Sequence, residues 1–373
     1  MVHQRFLGAA VIAVGAAMTA ACSSGSGMNS AAPPVSAHGG PSNPNLVTSG
    51  VSILNTLANE QTIGSTSPST PHDVNPYGLD VAKVTAGKIS AGDLVVCDFN
   101  NPGNVQGTGT EIVSLHPAVG STPALIAKDH TLAGCNALAA APNGNIWLAA
   151  FKANDNPIFT PSGAFVTSLS GGPWHRPFGE AFASGANPAF YVSNAADGSL
   201  VRLSVPSLTF TVIATGFPVN GGKPGSILGP SGLNYQPSGD RLYVVDGTNN
   251  TLYAIDNVSS VGPNGISVNA NGTSFTGPSA ASAHVVFSGP PLNGPISSAV
   301  LFNGNLVLGN TLDPDGTNLM VEISAAGQLL STKNVDPGAA GALFGMVAAG
   351  TSAATAKLYF NDDNDNTVKV LSQ

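Results

Sequence analysis

Gly229–Ile255 holds a phrase whose looser copies recur on both sides of it, and this recurrence limits the fold more than any other feature. It opens on Gly229-Pro230-Ser231-Gly232-Leu233, passes a Pro237-Ser238-Gly239 turn, and runs through Leu242-Tyr243-Val244-Val245-Asp246. A Gly/Asn turn at Gly247–Asn250 then leads into the alternating Thr251-Leu252-Tyr253-Ala254-Ile255. The pattern reads as a short strand, a turn, an apolar strand ending on Asp, a second turn and a third strand. Copies lie roughly 40–65 residues apart, the spacing of propeller blades rather than of helical solenoids.

Six copies are expected. Their inner strands begin at Pro76-Tyr77-Gly78-Leu79, Cys135-Asn136-Ala137-Leu138, Pro177-Phe178-Gly179-Glu180, Pro230-Ser231-Gly232-Leu233, Pro295-Ile296-Ser297-Ser298 and Leu343-Phe344-Gly345-Met346. Second strands follow at Asp93–Asp98, Asn145–Ala150, Ala189–Asn194, Arg241–Asp246, Asn305–Asn310 and Lys357–Asp362. Third strands are read at Thr110–Leu115, Ser199–Val205, Leu319–Ser324 and Thr367–Leu371. The sixth copy ends on its third strand, whereas Val47–Leu57 is strand-like with no earlier blade to join. The expectation is an all-β, six-bladed β-propeller over 46–373, with Val47–Leu57 closing the last blade and removing its bare edge.

Composition agrees with an all-β chain. Charged residues make up 9%, and 45 Gly and 28 Pro punctuate short apolar runs without a long amphipathic helical pattern. Hydrophobic content of 42% is too high for a disordered chain. The formal charge of −8, with 12 Lys and Arg and no basic run, argues against a nucleic-acid partner.

The first residues read as an address. Met1–Arg5 carries His3 and Arg5, Phe6–Ala17 is apolar, and Met18-Thr19-Ala20-Ala21-Cys22 follows. A positive start, a short apolar run and small residues before a cut describe a signal peptide over 1–21. The run is too short for an ordinary spanning helix. Thr19-Ala20-Ala21-Cys22 resembles the lipobox of bacterial lipoproteins, in which the cysteine is lipidated; Thr19 stands where that family usually has Leu, Val or Ile. Ser23-Ser24-Gly25-Ser26-Gly27 suits the start of a flexible tether over 22–45. The expected location is the bacterial cell envelope, with membrane contact through the lipid on Cys22 only. The alternative is a soluble periplasmic or secreted protein cut after Ala21 or nearby.

Cys97 and Cys135 are the remaining cysteines. In an oxidising compartment they can pair, closing a loop of roughly 40 residues worth about 4 kcal/mol on the chain-entropy account. The alternative is two small buried hydrophobes in adjacent blades. Neither has a His or Cys cluster beside it, which argues against a metal site.

The repeated phrase resembles that of the NHL and SMP-30/gluconolactonase-like six-bladed propellers, in which Pro-x-Gly-Leu leads through Pro-x-Gly to Leu-Tyr-Val-x-Asp-x-x-Asn-Asn. The resemblance covers roughly Pro76–Leu371 and is sharp in two or three blades. In metal-dependent members it implies a Glu, two Asn and an Asp around a divalent cation, one Asn standing where an inner strand begins. Here Tyr77, Asn136, Phe178, Ser231, Ile296 or Ser297, and Phe344 occupy the equivalent places. Hard cations need several oxygen ligands. Asn136 is the one amide of that set and no carboxylate joins it, so no metal or other cofactor is expected, and no lactonase activity.

Trp174-His175-Arg176-Pro177-Phe178-Gly179-Glu180 is the densest chemistry-bearing run. His can act as a general base and Arg can hold a carboxylate. The bland alternative has Trp174 packed between blades, Arg176 paired with an acid and His175 solvated. Tyr77, Asn136, Trp174, His175, Arg176, Glu180, Ser231 and Asn234 form the expected ligand-binding rim. The Asx-rich turns Asp98–Asn101, Asp246–Asn250 and Asp362–Asn366 are read as local backbone caps rather than calcium loops. No Gly-x-Ser-x-Gly elbow, P-loop, paired-His motif or dinucleotide fingerprint is present.

These features favour a binding or scaffolding propeller for an unidentified protein or small molecule, without a recognisable catalytic residue. The rival is a hydrolase (lactonase-like) or a lyase built on His175, Arg176 and Glu180. Convergence of those three on one pocket separates the two.

Overall fold

The computed structural model describes residues 50–67, 72–185 and 187–373. The expected signal peptide, the lipidation site Cys22 and the tether lie outside them. Among the described residues no helix is long and apolar enough to cross a membrane.

The repeated phrase folds as six antiparallel units arranged in a ring. Blade one pairs Val74–Val81, Leu94–Asn100, Glu111–Leu115 and Ala124–Lys128 in chain order, and blade two pairs Cys135–Ala140, Ile146–Ala150, Pro157–Phe159 and Phe165–Ser168. Blade three begins with Pro177–Ala183, Ala189–Asn194, Ser199–Ser204 and Thr209–Thr215. Blade four holds Pro230–Gln236, Arg241–Asp246, Thr251–Ile255 and Ala283–Ser288. Blade five holds Ser297–Val300, Leu306–Gly309, Leu319–Ile323 and Leu329–Asn334. Blade six runs Met346–Ala349, Lys357–Asp362 and Thr367–Ser372, and takes its outer strand from Asn59–Ser65 near the other end of the chain.

Ring closure from the N-terminal side is as expected, but the segment differs. Asn59–Ser65 pairs antiparallel with Thr367–Ser372, while Leu54–Thr56 forms one 3-10 turn. Residues 47–49 of the expected strand lie outside the described residues. The spacing of Ile53, Leu54 and Leu57 suits a turn that presents all three to one side. They are buried among Leu301, Leu343, Leu358 and Phe360, between blades five and six. The actual strand, Asn-Glu-Gln-Thr-Ile-Gly-Ser, is polar because its first four residues are exposed at the rim.

Glu322 fixes the approach to that strand. Its buried carboxylate accepts the backbone N–H of Ile53 at 3.0 Å and of Leu54 at 2.9 Å, and the Asn305 Nδ2 at 2.8 Å. A carboxylate carrying several N–H donors is a strong, directional anchor.

Second strands are buried along most of their length, since both faces meet neighbouring blades: Leu94–Asn100 and Ile146–Ala150 are buried throughout. Core clusters lie between blades; Val95, Ile112, Leu138 and Leu148, for instance, pack together from blades one and two. Cys97 and Cys135 form a disulfide, joining blade one's second strand to blade two's inner strand. The Asx turns cap backbone as expected: Asp246 accepts from Thr248 N at 2.8 Å and Asp362 from Asn364 N at 3.1 Å.

One addition has no counterpart in the sequence reading. Between its third and fourth strands, blade four sends Ile266–Val268 back to pair parallel with Thr209–Thr215 of blade three, and Phe275–Thr276 extends that sheet further. Blade three thus becomes six-stranded.

Candidate functional site

The inner strands run side by side along the axis, with equivalent residues at the same level. The clearest mark of this is glycine. A Cβ on Gly179 would fall 1.8 Å from the Ser231 carbonyl oxygen, and one on Gly232 would fall 2.5 Å from that of Ile296. Gly232 also donates its N–H to that Ile296 carbonyl at 2.7 Å. Glycine in the repeated phrase is therefore a packing requirement between blades.

One residue before these glycines, the channel is closed where the strands begin. Tyr77 stacks on Phe344 with ring centroids 3.5 Å apart and on Phe99 at 4.3 Å. Phe99 meets Phe151 edge-on, and Phe151 meets Phe178 in the same way. Ile227 and Ile296 complete the cluster. Ser231 is buried at the same level, its hydroxyl lying 3.0 Å from the Ile296 carbonyl. Tyr77, Phe178 and Ser231 thus belong to a plug. Burial holds the Tyr77 phenol well above its ordinary range.

Below the plug the channel opens. A neck of about 70 Å³ lies among Asn136, Glu180, Ser298 and Met346. It leads towards a mouth of about 450 Å³ where the inner strands end, lined by Leu79, Asp80, Lys83, Phe182, Asn234 and Tyr235 among others. Asp80 and Lys83 pair across 3.1 Å, and the other Asp80 oxygen accepts Ala140 N at 2.9 Å. Asn234 donates to the Ser298 carbonyl and hydroxyl at 2.8 and 2.7 Å, bridging blades four and five.

Glu180 is the chemical exception on this wall. Leu79, Leu138 and Leu233 occupy its place in three other blades and pack between blades. Glu180 is 7% exposed. Its Oε2 accepts from Asn156 Nδ2 at 3.2 Å, and its Oε1 has no hydrogen-bond partner among the described residues. Burial pushes this carboxyl up to about 8, against a smaller pull downwards from the Asn156 hydrogen bond. Asn136, 4% exposed, has neither amide atom hydrogen-bonded among the described residues.

The Trp-His-Arg run is divided. Trp174 is buried between blades, its indole donating to the Leu169 carbonyl at 2.9 Å. His175 is largely exposed and faces Asp197 at 3.7 Å. Arg176 adopts a left-handed backbone, with φ of 60°, and lays its guanidinium over Phe151 at 5.2 Å from the ring centroid. Neither His175 nor Arg176 lines the mouth or the neck. Of the expected rim, the structure gathers Asn136, Glu180 and Asn234 along one cavity, with Tyr77 forming part of the neck where the plug closes it, and leaves Trp174, His175, Arg176 and Ser231 elsewhere.

The mouth residues Asp80, Lys83, Phe182 and Tyr235 were not expected from the sequence. For Phe182 and Tyr235 the signal was alternation: two residues on from Glu180 or Leu233 along an inner strand reaches the mouth.

No protein-family model matches the chain, and no curated protein matches it. Solved structures do. A nidogen/laminin complex superposes with a TM-score of 0.52 at 13% identity, covering 75% of this chain and 86% of that one. A catalytically inactive virginiamycin B lyase of Staphylococcus aureus, with quinupristin, gives 0.50 at 13% identity over 84% of this chain and 99% of that one. A structural genomics protein of unknown function from Bacteroides thetaiotaomicron gives 0.51 at 10% identity over 84% and 75%. The likeness is one of fold. It agrees with a six-bladed β-propeller whose neighbours include a lyase and a binding complex.

Proposed function

We propose that this chain is an exported propeller, lipid-anchored in the bacterial envelope through Cys22, that binds a small and partly apolar ligand in its lower mouth. The observation that carries this reading is the one-ended channel. Aromatic rings close it where the inner strands begin, and it widens to about 450 Å³ where they end. A concave, mainly preformed site with apolar walls and a few placed polar groups is the usual form of a small-molecule site. Function rests on that site rather than on the fold.

Binding is preferred over catalysis because Glu180 lies on the cavity whereas His175 and Arg176 do not. A fragment screen by ligand-observed NMR tests this with three proteins: the mature chain, Ala348→Trp and His175→Ala. Ala348 is a half-buried residue of the mouth, and a Trp there fills space without removing a hydrogen bond. Hits lost in Ala348→Trp and kept in His175→Ala support the mouth. The opposite pattern overturns it and favours the hydrolase or lyase alternative at the other face.

A further inference from the structure

The neck carries buried polar atoms that the mouth's shape alone does not explain. Three atoms of residues lining the neck lack partners among the described residues: the acceptors Glu180 Oε1 and Asn136 Oδ1, and the donor Asn136 Nδ2; Asn156 Oδ1, outside the neck lining, is bare as well. Leaving such a group bare costs about 1–3 kcal/mol, and native interiors leave few of them. Glu180 stands where leucine packs in three other blades, so an apolar side chain fits that place. Among the described residues Lys83 is the one cationic side chain lining the mouth, and Asp80 already pairs with it. The neck therefore offers acceptor oxygens and a carboxyl without a fixed cation to answer them.

We propose that the neck is the headgroup subsite for a primary ammonium, carried by a ligand whose apolar body lies against Leu79, Leu138, Leu233 and Met346. The ammonium donates to Glu180 Oε1 and Asn136 Oδ1. This rests on the mouth as the binding site and adds the chemical class of the ligand.

Charge makes the assignment specific. A carboxyl pushed up to about 8 by burial is mostly protonated near neutral pH, and an ammonium partner favours its ionised form. Binding near pH 7 thus expels a proton, and affinity rises with pH until the free carboxyl ionises at about 8, then levels off until the amine itself deprotonates. The groups packed around Glu180 do not supply that charge. Asn156 is neutral, Asp155 is taken up by the Asn156 backbone N–H and by the Ser168 hydroxyl, and Asp80 and Lys83 offset one another.

Isothermal titration of the mature protein with n-hexylamine, 1-hexanol and hexanoate tests the subsite at pH 7, in two buffers of different ionisation heat. The expected result is that hexylamine binds at least tenfold more tightly than hexanol, releases a proton, and falls to the affinity of hexanol in Glu180→Leu. That variant restores the leucine of other blades, and a thermal melt confirms that it is folded. Equal binding of hexylamine and hexanol, lost in Ala348→Trp, overturns the ammonium subsite and leaves the mouth standing. Preference for hexanoate overturns it too, as does micromolar calcium binding that requires Glu180. If none of the three probes binds while the fragment screen finds mouth ligands, the subsite alone falls; if that screen also fails, both readings fall.

Discussion

Tyr77 of blade one lies face to face with Phe344 of blade six, ring centroids 3.5 Å apart, so the first and last repeats meet at the axis. Asn361 of blade six reinforces the seam by donating to the Tyr77 carbonyl at 3.1 Å. At the rim the same two ends of the chain meet again, where Asn59–Ser65 pairs with Thr367–Ser372. A ring with no covalent closure is held at this seam from inside and outside.

Deleting residues through Ser65 should therefore leave Thr367–Ser372 as a bare edge and unpin blade six. The expected outcome is aggregation or a broad, early thermal transition in place of a cooperative one, followed by circular dichroism and light scattering. A truncated chain that melts like the mature protein would show the strand to be dispensable.

Glu322→Ala should weaken the same seam without removing any of it. The substitution strands the N–H groups of Ile53 and Leu54 and the Asn305 amide in a buried place. Hydrogen bonds to charged groups contribute about 1.5–3 kcal/mol each, so a loss of at least ~3 kcal/mol is expected in denaturant unfolding. An unchanged midpoint would mean that Leu54–Thr56 is held by its apolar contacts alone.

The disulfide provides a third handle. Cys97 and Cys135 are both fully buried and join blades one and two beside the neck-lining Asn136. Replacing both by Ala should lower stability by up to about 4 kcal/mol on the chain-entropy account. Reductant should then have no further effect on the variant's melting temperature while lowering that of the native protein. If reductant leaves the native melting temperature in place, the bond contributes little.

Much of the fold was legible because blade strands carry local signals. Arg241–Asp246 and Ala189–Asn194 are apolar runs ending on Asp or Asn at a turn, and both strands fall where the pattern puts them. Asn59–Ser65 escaped because an outermost strand faces water and has no need of apolar alternation. Ile266–Val268 escaped because parallel pairing with Thr209–Thr215 leaves no mark in the intervening residues. At the site, the rings of Tyr77, Phe178 and Phe344 could be placed together from the repeat. Their closure by Phe99, Phe151 and Ile227 depends on contacts between distant parts of the chain. For this reason the expected rim took in Tyr77 and Ser231 of the plug and the His175–Arg176 pair at that closed face, whereas Asn136, Glu180 and Asn234 of the same rim lie along the cavity that opens at the other.

The anchor at Cys22 is tested by fractionation. Cys22→Ala should move the protein from the membrane fraction to the soluble envelope or medium, and the native N-terminal peptide should carry the mass of a lipid. A soluble native protein with an unmodified terminus after Ala21 would replace the lipoprotein with an ordinary secreted one.

Glu180 gives stability a pH dependence whose sign is set by its environment. Unfolded, the carboxyl titrates near its ordinary value of 4.5; folded, burial pushes it up to about 8. Below 4.5 both states are protonated and the group contributes no difference. As pH rises, the unfolded chain gives up the proton first, so stability falls progressively until the folded carboxyl also ionises around 8. Glu180→Leu removes this loss and fills the place with the side chain used by three other blades. The variant should match the native protein near pH 4 apart from packing, and exceed it by on the order of 2–5 kcal/mol at pH 8 to 9. Denaturant unfolding of both proteins across pH 4 to 9 measures the difference, which isolates Glu180 from Asp246 and Asp363, whose carboxyls burial also raises. A difference that stays flat with pH would show that Glu180 is ionised in the fold. A native protein more stable than Glu180→Leu at pH 8 would show that its charge is already compensated.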